Sequence, residues 1–379
     1  MTRIDAPFLR DPALIAVLDA IEGGGHRALL VGGCVRNALM GLAAGDVDIS
    51  TDARPDRVVE LVRAAGLRAV PTGIEHGTIT VVSGGTGFEV TTFRRDIETD
   101  GRRAVVAFSD RIEDDAARRD FTMNALYAGR DGRVIDPLGG MPDLAARHLR
   151  FVGAARDRIT EDYLRILRLF RFLAWYGRTV DPDALTACAE LAGGLEKISG
   201  ERIGAEMRKL LAAPDPAPAV ALMVDAGVLH HVLPGADAAA LPGLIALERE
   251  NGTPPAWPRR LALLTDDTGH LRLSRPEAKA QTDLARARDW PLTETAYRLG
   301  SGAATDAALI AAAHGTPLPA DWRAAIASAA PLPISAADLL PDLSGPALGR
   351  ALSAAETAWI ASGFTLDRAA LLAAAKETA

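Results

Sequence analysis

At 379 residues the chain is longer than one ordinary hydrophobic core serves, so roughly two to four domains are expected. Its composition, 49% hydrophobic and 24% charged, is that of a globular protein, and no apolar run reaches the ~20 residues that a membrane-spanning helix needs. A formal net charge of −7 argues against an all-over basic coat for nucleic acid, but leaves room for a local basic groove.

The opening stretch, MTRIDAPFLRDPALIAVLDAIEGGG, mixes Asp and Arg into its apolar pattern and does not read as a signal peptide, so a cytoplasmic location is expected. From residue 27 to about 135, short β-rich runs alternate with glycine turns. RALLV, DVDIS, GTITVV, FEVTTF and RVIDP read as strands, with CVRNALMGL and RPDRVVELVRAAG as helices between them. From about residue 142 the character changes. DLAARHLR, EDYLRILRLFRFLAWYG, ERIGAEMRKLLAA and PAVALMVDAGVLHHVL carry helical periodicity with almost no strand signal, which predicts an α+β head followed by an all-α remainder. Proline and glycine mark joints at 136–144, 212–218, 233–243 and 329–335. The two cysteines, Cys34 and Cys188, have neither metal-ligand spacing nor a disulfide framework, so small core residues and no disulfide-linked partner are expected.

The chemistry concentrates in the head. RALLV ends at Gly32-Gly33 and a helical pattern follows at once, a turn whose backbone N–H groups suit an anion, with Arg36 on the first helical turn able to add a charged fork. A dinucleotide fingerprint needs G-x-G-x-x-G, which GGCVRN lacks, and a plain tight turn fits the pair as well. In DVDI, strand alternation puts Asp46 and Asp48 on one side, with backbones about 7 Å apart, and Val47 and Ile49 on the other. Two such carboxylates suit a hard cation shared with substrate phosphates, or are two solvated acids on an edge strand. Glu89, in FEVTTFR, offers a third acid on a neighbouring strand, or an ordinary cross-strand charge. His76 and the pair His230-His231 lack ligand spacing and read as structural.

LLVGGCVRNALMG with DVDISTDARP, then HGTITVV, FEVTTFRRD, RRDFTMNALY, DPLGGMPDL, EDYLRILRLFRF and ERIGAEMRKLL run in the order seen in bacterial CCA-adding enzymes and their poly(A) polymerase relatives. Over roughly residues 27–210 the chain resembles the tRNA nucleotidyltransferase/poly(A) polymerase family, class II. The resemblance implies an α+β nucleotidyltransferase head with a small mixed or antiparallel sheet, followed by an all-α neck, body and tail. On this chain the parts are an N-terminal helix at 1–26, the head at 27–141, a base-recognising neck at 142–213, and a tRNA-binding body at 214–330 and tail at 331–379.

It further implies template-independent addition of CCA to the tRNA 3′ end from CTP and ATP, with two Mg²⁺ ions. Gly32, Gly33 and Arg36 would touch the triphosphate, Asp46 and Asp48 hold the metals, and Glu89 stand as the third catalytic acid. Arg118 and Arg119 would contact the nucleotide, supported by Asp120 and Asn124. Asp162, Arg165, Arg168 and Arg171 would surround the base. Asp162 and Arg165, three apart, are expected on one helix face as an accepting and donating edge, with Arg168 and Arg171 continuing the stripe and able to reach phosphates or hold Asp162; taken alone the stripe reads as a solvated basic face. A carboxylate accepts from the exocyclic amine of cytosine or adenine and repels the carbonyl of uracil or guanine.

Two departures stand out: Asn37 where the family usually has Asp, which removes a charge and any direct metal role there, and Ala116 where it usually has Leu. The segment from Phe93 to Asp120, with Arg94, Arg95, Arg102 and Arg103, is full length, which favours complete CCA addition over CC-only addition. A poly(A) polymerase, a catalytically inactive tRNA-binding scaffold and a small-molecule nucleotidyltransferase are the rival readings. The acidic balance and the ending LLAAAKETA disfavour the first, the D-x-D pair disfavours the second, and EDYLR with the long helical body disfavours the third.

Overall fold

The computed structural model describes residues 2–100, 103–340 and 343–377. The chain forms two compact units, one of residues 1–206 with 222–232 and the other of residues 207–221 with 233–379.

The first unit opens with α1 (Pro12–Glu22), whose first turn is capped by the Asp11 side chain accepting from the Ala13 N–H. Strand β1 (Ala28–Val31) is buried throughout and leads into α2 (Gly33–Leu39). Next come β2 (Asp48–Thr51), α3 (Pro55–Ala64), β3 (Arg68–Gly73), β4 (Thr78–Ser83) and β5 (Thr86–Thr92). The hairpin β6 (Arg94–Asp100) and β7 (Arg103–Phe108) follows, then α4 (Ile112–Ala117), β8 (Tyr127–Ala128) and β9 (Val134–Ile135). Of the four arginines expected to make this segment basic, Arg102 and the side chain of Arg103 lie outside the described residues.

Seven strands form one sheet in the order β3-β4-β5-β2-β1-β8-β9, antiparallel except where β2 runs parallel to β5. One face is dry. Ile79 and Val81 on β4 and Phe88 and Val90 on β5 alternate with more exposed neighbours, the period-2 pattern of a half-buried sheet, and α1 and α3 pack against β4. The mixed sheet with helices is the head expected from the sequence. Four strands of the head escaped the pattern: β3, with half its residues exposed, both hairpin strands β6 and β7, and two-residue β8 inside a continuous buried run from Phe121 to Ala128.

Beyond the sheet come α5 (Met141–Ala146), β10 (His148–Leu149), α6 (Ala155–Glu161), α7 (Leu164–Trp175), β11 (Thr179–Val180), α8 (Pro182–Glu190), α9 (Gly200–Leu211), α10 (Ala217–Asp225) and α11 (Val228–Val232). EDYLRILRLFRFLAWYG is not one helix. Asp162 takes an extended backbone (φ −156°, ψ 105°) and its Oδ1 accepts the Leu164 N–H at 3.1 Å, so it ends α6 and caps α7.

The second unit is helical: α12 (Leu241–Glu250), α13 (Trp257–Leu264), α14 (Arg275–Ala287), α15 (Leu292–Leu299), α16 (Ser301–Ala313), α17 (Trp322–Ala327), α18 (Gly345–Ala361) and α19 (Arg368–Glu377). Trp359, Phe364 and Leu371 anchor a core around α18 and α19. Arg260 of α13 is fully buried. It donates to both oxygens of Glu248 and to the carbonyls of Leu211 and Ala213 (2.6 and 2.5 Å), closing the end of α9 with a charge-assisted cap. No helix among the described residues is long and apolar enough to cross a membrane, and both cysteines are buried and unpaired.

Replacing Arg260 with Ala strands those carbonyls and part of a buried carboxylate. It is expected to cost about 3–5 kcal/mol, read as a lower denaturant midpoint for the second unit.

Candidate active site

The turn between β1 and α2 is built around Gly32, whose backbone (φ 71°, ψ −120°) only glycine adopts without strain. The surroundings are close as well. A Cβ at Gly32 would lie 3.2 Å from the Arg119 guanidinium, and one at Gly33 would lie 3.9 Å from that of Arg36. Two guanidinium groups therefore lie against the glycine turn, where the first N–H groups of α2 have no intrahelical acceptor.

Arg36 is buried rather than extended toward solvent. Its Nε and Nη2 donate to Asn37 Oδ1 (3.1 and 2.7 Å), its Nη1 donates to Asn124 Oδ1 (2.6 Å), and its face stacks 3.8 Å from the Tyr176 ring centroid. Burial lowers its pKa. The free charged fork expected from the sequence is thus largely committed to neighbours, and what it offers a phosphate is a fixed charge beside Gly33.

Arg119 is the better-placed cation. Its Nη2 donates to the buried Asp115 (3.0 Å) and to Ser50, and its Nε donates to the Tyr127 hydroxyl (3.2 Å), which itself donates to Asp115 at 2.7 Å. Burial opposes the charge, but Asp115 and Tyr127 outweigh it and raise the Arg119 pKa above its ordinary value. Burial and the Asp115 carboxylate likewise push the Tyr127 phenol up, so it stays a donor. Arg118 follows α4 beside it, with its carbonyl and that of Arg119 both accepting from Arg158 Nη2.

The acids stand next to this cation. Strand β2 begins at Asp48, while Asp46 lies exposed in the bend before it, so the two are not side by side on one strand as DVDI suggested. Val47 is half-buried and Ile49 fully buried, which still turns the acids away from the core. The parallel β2–β5 register, Ile49 opposite Val90, carries Glu89 toward Asp48. Burial raises the Asp48 pKa, as do the charges of Glu89 and Asp46, while Arg119 opposes them.

Among the described residues no group of three or more His, Cys, Asp or Glu side chains is gathered into a metal shell. Two acids flanked by a third, with no nitrogen or sulfur donor, are nevertheless the donor set of a hard cation that completes its shell with water and phosphate oxygens.

Beside Arg119 opens a cavity of about 320 Å³ lined by Arg119, Asp120, Asp162, Leu164, Arg165, Arg168 and Arg202. Asp162 Oδ2 accepts from Arg202 Nη2 at 2.6 Å, while Arg165 pairs with Glu161 and donates to the Arg158 carbonyl at 2.8 Å. Asp162 and Arg165 thus line one cavity without being a helical pair, because α7 begins only at Leu164, between them. Arg168 does not hold Asp162 but grips Asp120 (2.9 and 2.5 Å), and Arg171 pairs with Glu206 at 2.6 Å. Asp120 also accepts from Asn124 and from the Phe121 N–H. Burial works against its charge, but Arg168, Asn124 and Phe121 prevail and hold the carboxyl far below the usual range.

Sequence reasoning missed Arg202, Asp115, Tyr127, Arg158 and the rings of Phe172 and Tyr176. The available signal was in ERIGAEM, where Arg202 and Glu206, four apart on α9, offer a cation that meets Asp162 and an anion that meets Arg171 of α7.

Residues 28–150 match the family model for the poly(A) polymerase head domain, and residues 177–240 match that for the probable RNA- and SrmB-binding site of polymerase A. The CCA-adding enzyme of Limosilactobacillus fermentum is 35% identical over 389 residues, covering 95% of each chain. The chain belongs to the family of CCA-adding tRNA nucleotidyltransferases. The crystal structure of the Bacillus stearothermophilus CCA-adding enzyme in complex with CTP superposes with a TM-score of 0.75 at 29% identity, over 94% of both chains. The mouse mitochondrial CCA tRNA nucleotidyltransferase 1 is 44% identical over 214 residues, 55% of this chain and 49% of its own. The chain spans about half the length of this and other curated CCA-adding relatives. Membership of this polymerase family implies dependence on a divalent metal.

The Asp120 carboxylate contributes stability that is complete above the ordinary carboxylate pKa of about 4 and is lost as pH falls toward its depressed folded value. Asp120→Asn is therefore expected to cost about 2 kcal/mol at pH 7 and distinctly less at pH 3, measured by denaturant unfolding at both values.

Proposed function

We propose that the protein completes tRNA 3′ ends, adding CCA without a template from CTP and ATP and releasing pyrophosphate. The observation that carries this reading is Arg119, which touches the glycine turn, lies within electrostatic reach of Asp48 and lines the cavity that holds Asp162. Phosphate, acid and base-sized sites thereby meet at one side chain.

In this reading Gly32, Gly33, Arg36, Arg118 and Arg119 receive the triphosphate, and Asp120 and Asn124 keep the arginines in place. Asp46 and Asp48, with Glu89 beside them, hold two Mg²⁺ ions. Bound there, the ions supply Lewis-acid activation of the tRNA 3′-hydroxyl and neutralise the departing pyrophosphate. The hydroxyl oxygen forms its bond to the α-phosphorus as the bond to the β-phosphate bridging oxygen breaks. The hydroxyl proton passes to water. Arg119, fixed by Asp115 and Tyr127, faces the charge that develops on the leaving side, and needs no reorganisation to do so.

Asp162 selects the base. Its carboxylate accepts from the exocyclic amine that cytosine and adenine share, and Arg165 donates to the neighbouring ring acceptor. Arg168 holds Asp120, Arg171 holds Glu206, and both keep α7 in register with the cavity. Uracil and guanine would set a carbonyl against Asp162, an unpaired polar contact worth orders of magnitude in discrimination. The chain then divides into an N-terminal helix (1–26), catalytic head (27–141), base-reading neck (142–213), and a body (214–330) and tail (331–379) that follow the acceptor arm of a tRNA, in the cytoplasm. The head's match to the poly(A) polymerase model supports a second reading, addition of A runs to RNA.

Extension of a tRNA ending at its discriminator base, resolved to one nucleotide, separates the two. Two C additions from CTP followed by one A from ATP are expected, with UTP incorporated at least about a hundredfold more slowly. Asp48→Asn should reduce single-turnover transfer by on the order of a thousandfold or more. Long A runs from ATP alone would favour tailing.

A further inference from the structure

Asn37 sits between the glycine turn and the acid-bearing bend, and its amide is used from both sides. On one side Oδ1 accepts from Arg36 Nε and Nη2 at 3.1 and 2.7 Å. On the other, Nδ2 donates to the Ala43 carbonyl at 2.8 Å. Those partners settle which end of the amide is which: a guanidinium can only donate and a carbonyl can only accept, so the reverse orientation would satisfy neither. A carboxylate of the same shape could accept from Arg36, but it would set an oxygen against the Ala43 carbonyl.

The Asn37 backbone adds to the hold, its carbonyl accepting the Leu42 N–H at 2.8 Å. Asn37 therefore grips the turn after α2 twice, at Leu42 and Ala43, three residues before Asp46. Among the described residues no hydrogen bond from residues 44–47 supplements it. Upstream, the polar chain continues without a gap. Arg36 donates to Asn124, Asn124 donates to Asp120 at 2.9 Å, and Asp120 is gripped by Arg168 on the cavity wall.

We propose that Asn37 is a positioning residue: through Ala43 it sets where the Asp46 carboxylate stands, and through Arg36 it ties that placement to the glycine turn. The proposal rests on the reading of Asp46 as a metal ligand. Asn37 touches neither nucleotide nor metal, and acts only through the loop it holds.

Asn37→Asp removes the donor to Ala43 while keeping the shape and the Oδ1 acceptor for Arg36; the negative charge it adds would by itself tighten Mn²⁺ binding, so a weaker affinity reports the lost contact with Ala43. Two measurements on the full chain test it: amide hydrogen exchange across residues 40–48, and Mn²⁺ affinity by electron paramagnetic resonance with a non-hydrolysable CTP analogue bound. Exchange in 40–46 is expected to quicken, and Mn²⁺ to bind on the order of three- to tenfold more weakly, the worth of one hydrogen bond. Exchange outside residues 36–48 should not move, which a general loss of structure would not allow. Asp46→Asn serves as the control. If it weakens Mn²⁺ binding while Asn37→Asp changes neither measurement, the positioning role is wrong and the metal reading stands. If Asp46→Asn leaves Mn²⁺ affinity unchanged, Asp46 is no ligand and both fall.

Discussion

A guanidinium that must stay charged and stay still organises this head. Arg119 is held from behind by Asp115, with Ser50 and Tyr127 filling further hydrogen-bond positions around the pair. An ion pair this enclosed is costly to desolvate, and its geometry must be good for it to persist. Here the added hydroxyls meet that condition, and the result is a cation whose orientation is decided before any ligand arrives. Its far side faces the glycine turn and the cavity together, so in the proposed function the placement of phosphate and base follows from one buried pair. β8 sets Tyr127 beside β1, and α4 carries Asp115, with Arg119 four residues on, just past the helix end.

The acids pay for their position in a different way. Asp48 begins a strand whose next residue is fully buried, and partial burial with like charges nearby raises its pKa. Such an arrangement is unfavourable in isolation and, in the proposed function, becomes favourable when a divalent cation and triphosphate arrive together. The asymmetry between half-buried Asp48 on the strand and exposed Asp46 in the bend means that the second carboxylate depends on loop contacts for its place. Strand pairing supplies the first position, and local hydrogen bonds at Leu42 and Ala43 are proposed to supply the second.

Much of this was legible in the residues. Period-2 alternation marked β4 and β5, the apolar run into Gly32-Gly33 marked the turn, and D-x-D marked the acids. What escaped depends on contacts between distant segments. Nothing in EDYLR says that Asp162 abandons the helix, because a capping aspartate and a helical one look alike until the backbone is seen. Likewise the pairing of Asp162 with Arg202, forty residues on, and of Arg168 with Asp120 reassigns every partner that i, i+3 spacing suggested. Arg36 was visible as a charge beside a glycine turn. Its burial against Tyr176 was not, since that requires the end of α7 to return to α2. The positions were readable from local pattern; the partnerships were set by tertiary packing.

The most direct measurement of the central claim is a crystal structure of the protein with CTP and Mn²⁺, the metal located by anomalous scattering. The account predicts Mn²⁺ at Asp46 and Asp48, the triphosphate between Gly33 and Arg119, and the cytosine amine within hydrogen-bond distance of Asp162. A nucleotide bound with its phosphates away from Arg119, or metal density away from both acids, would contradict it.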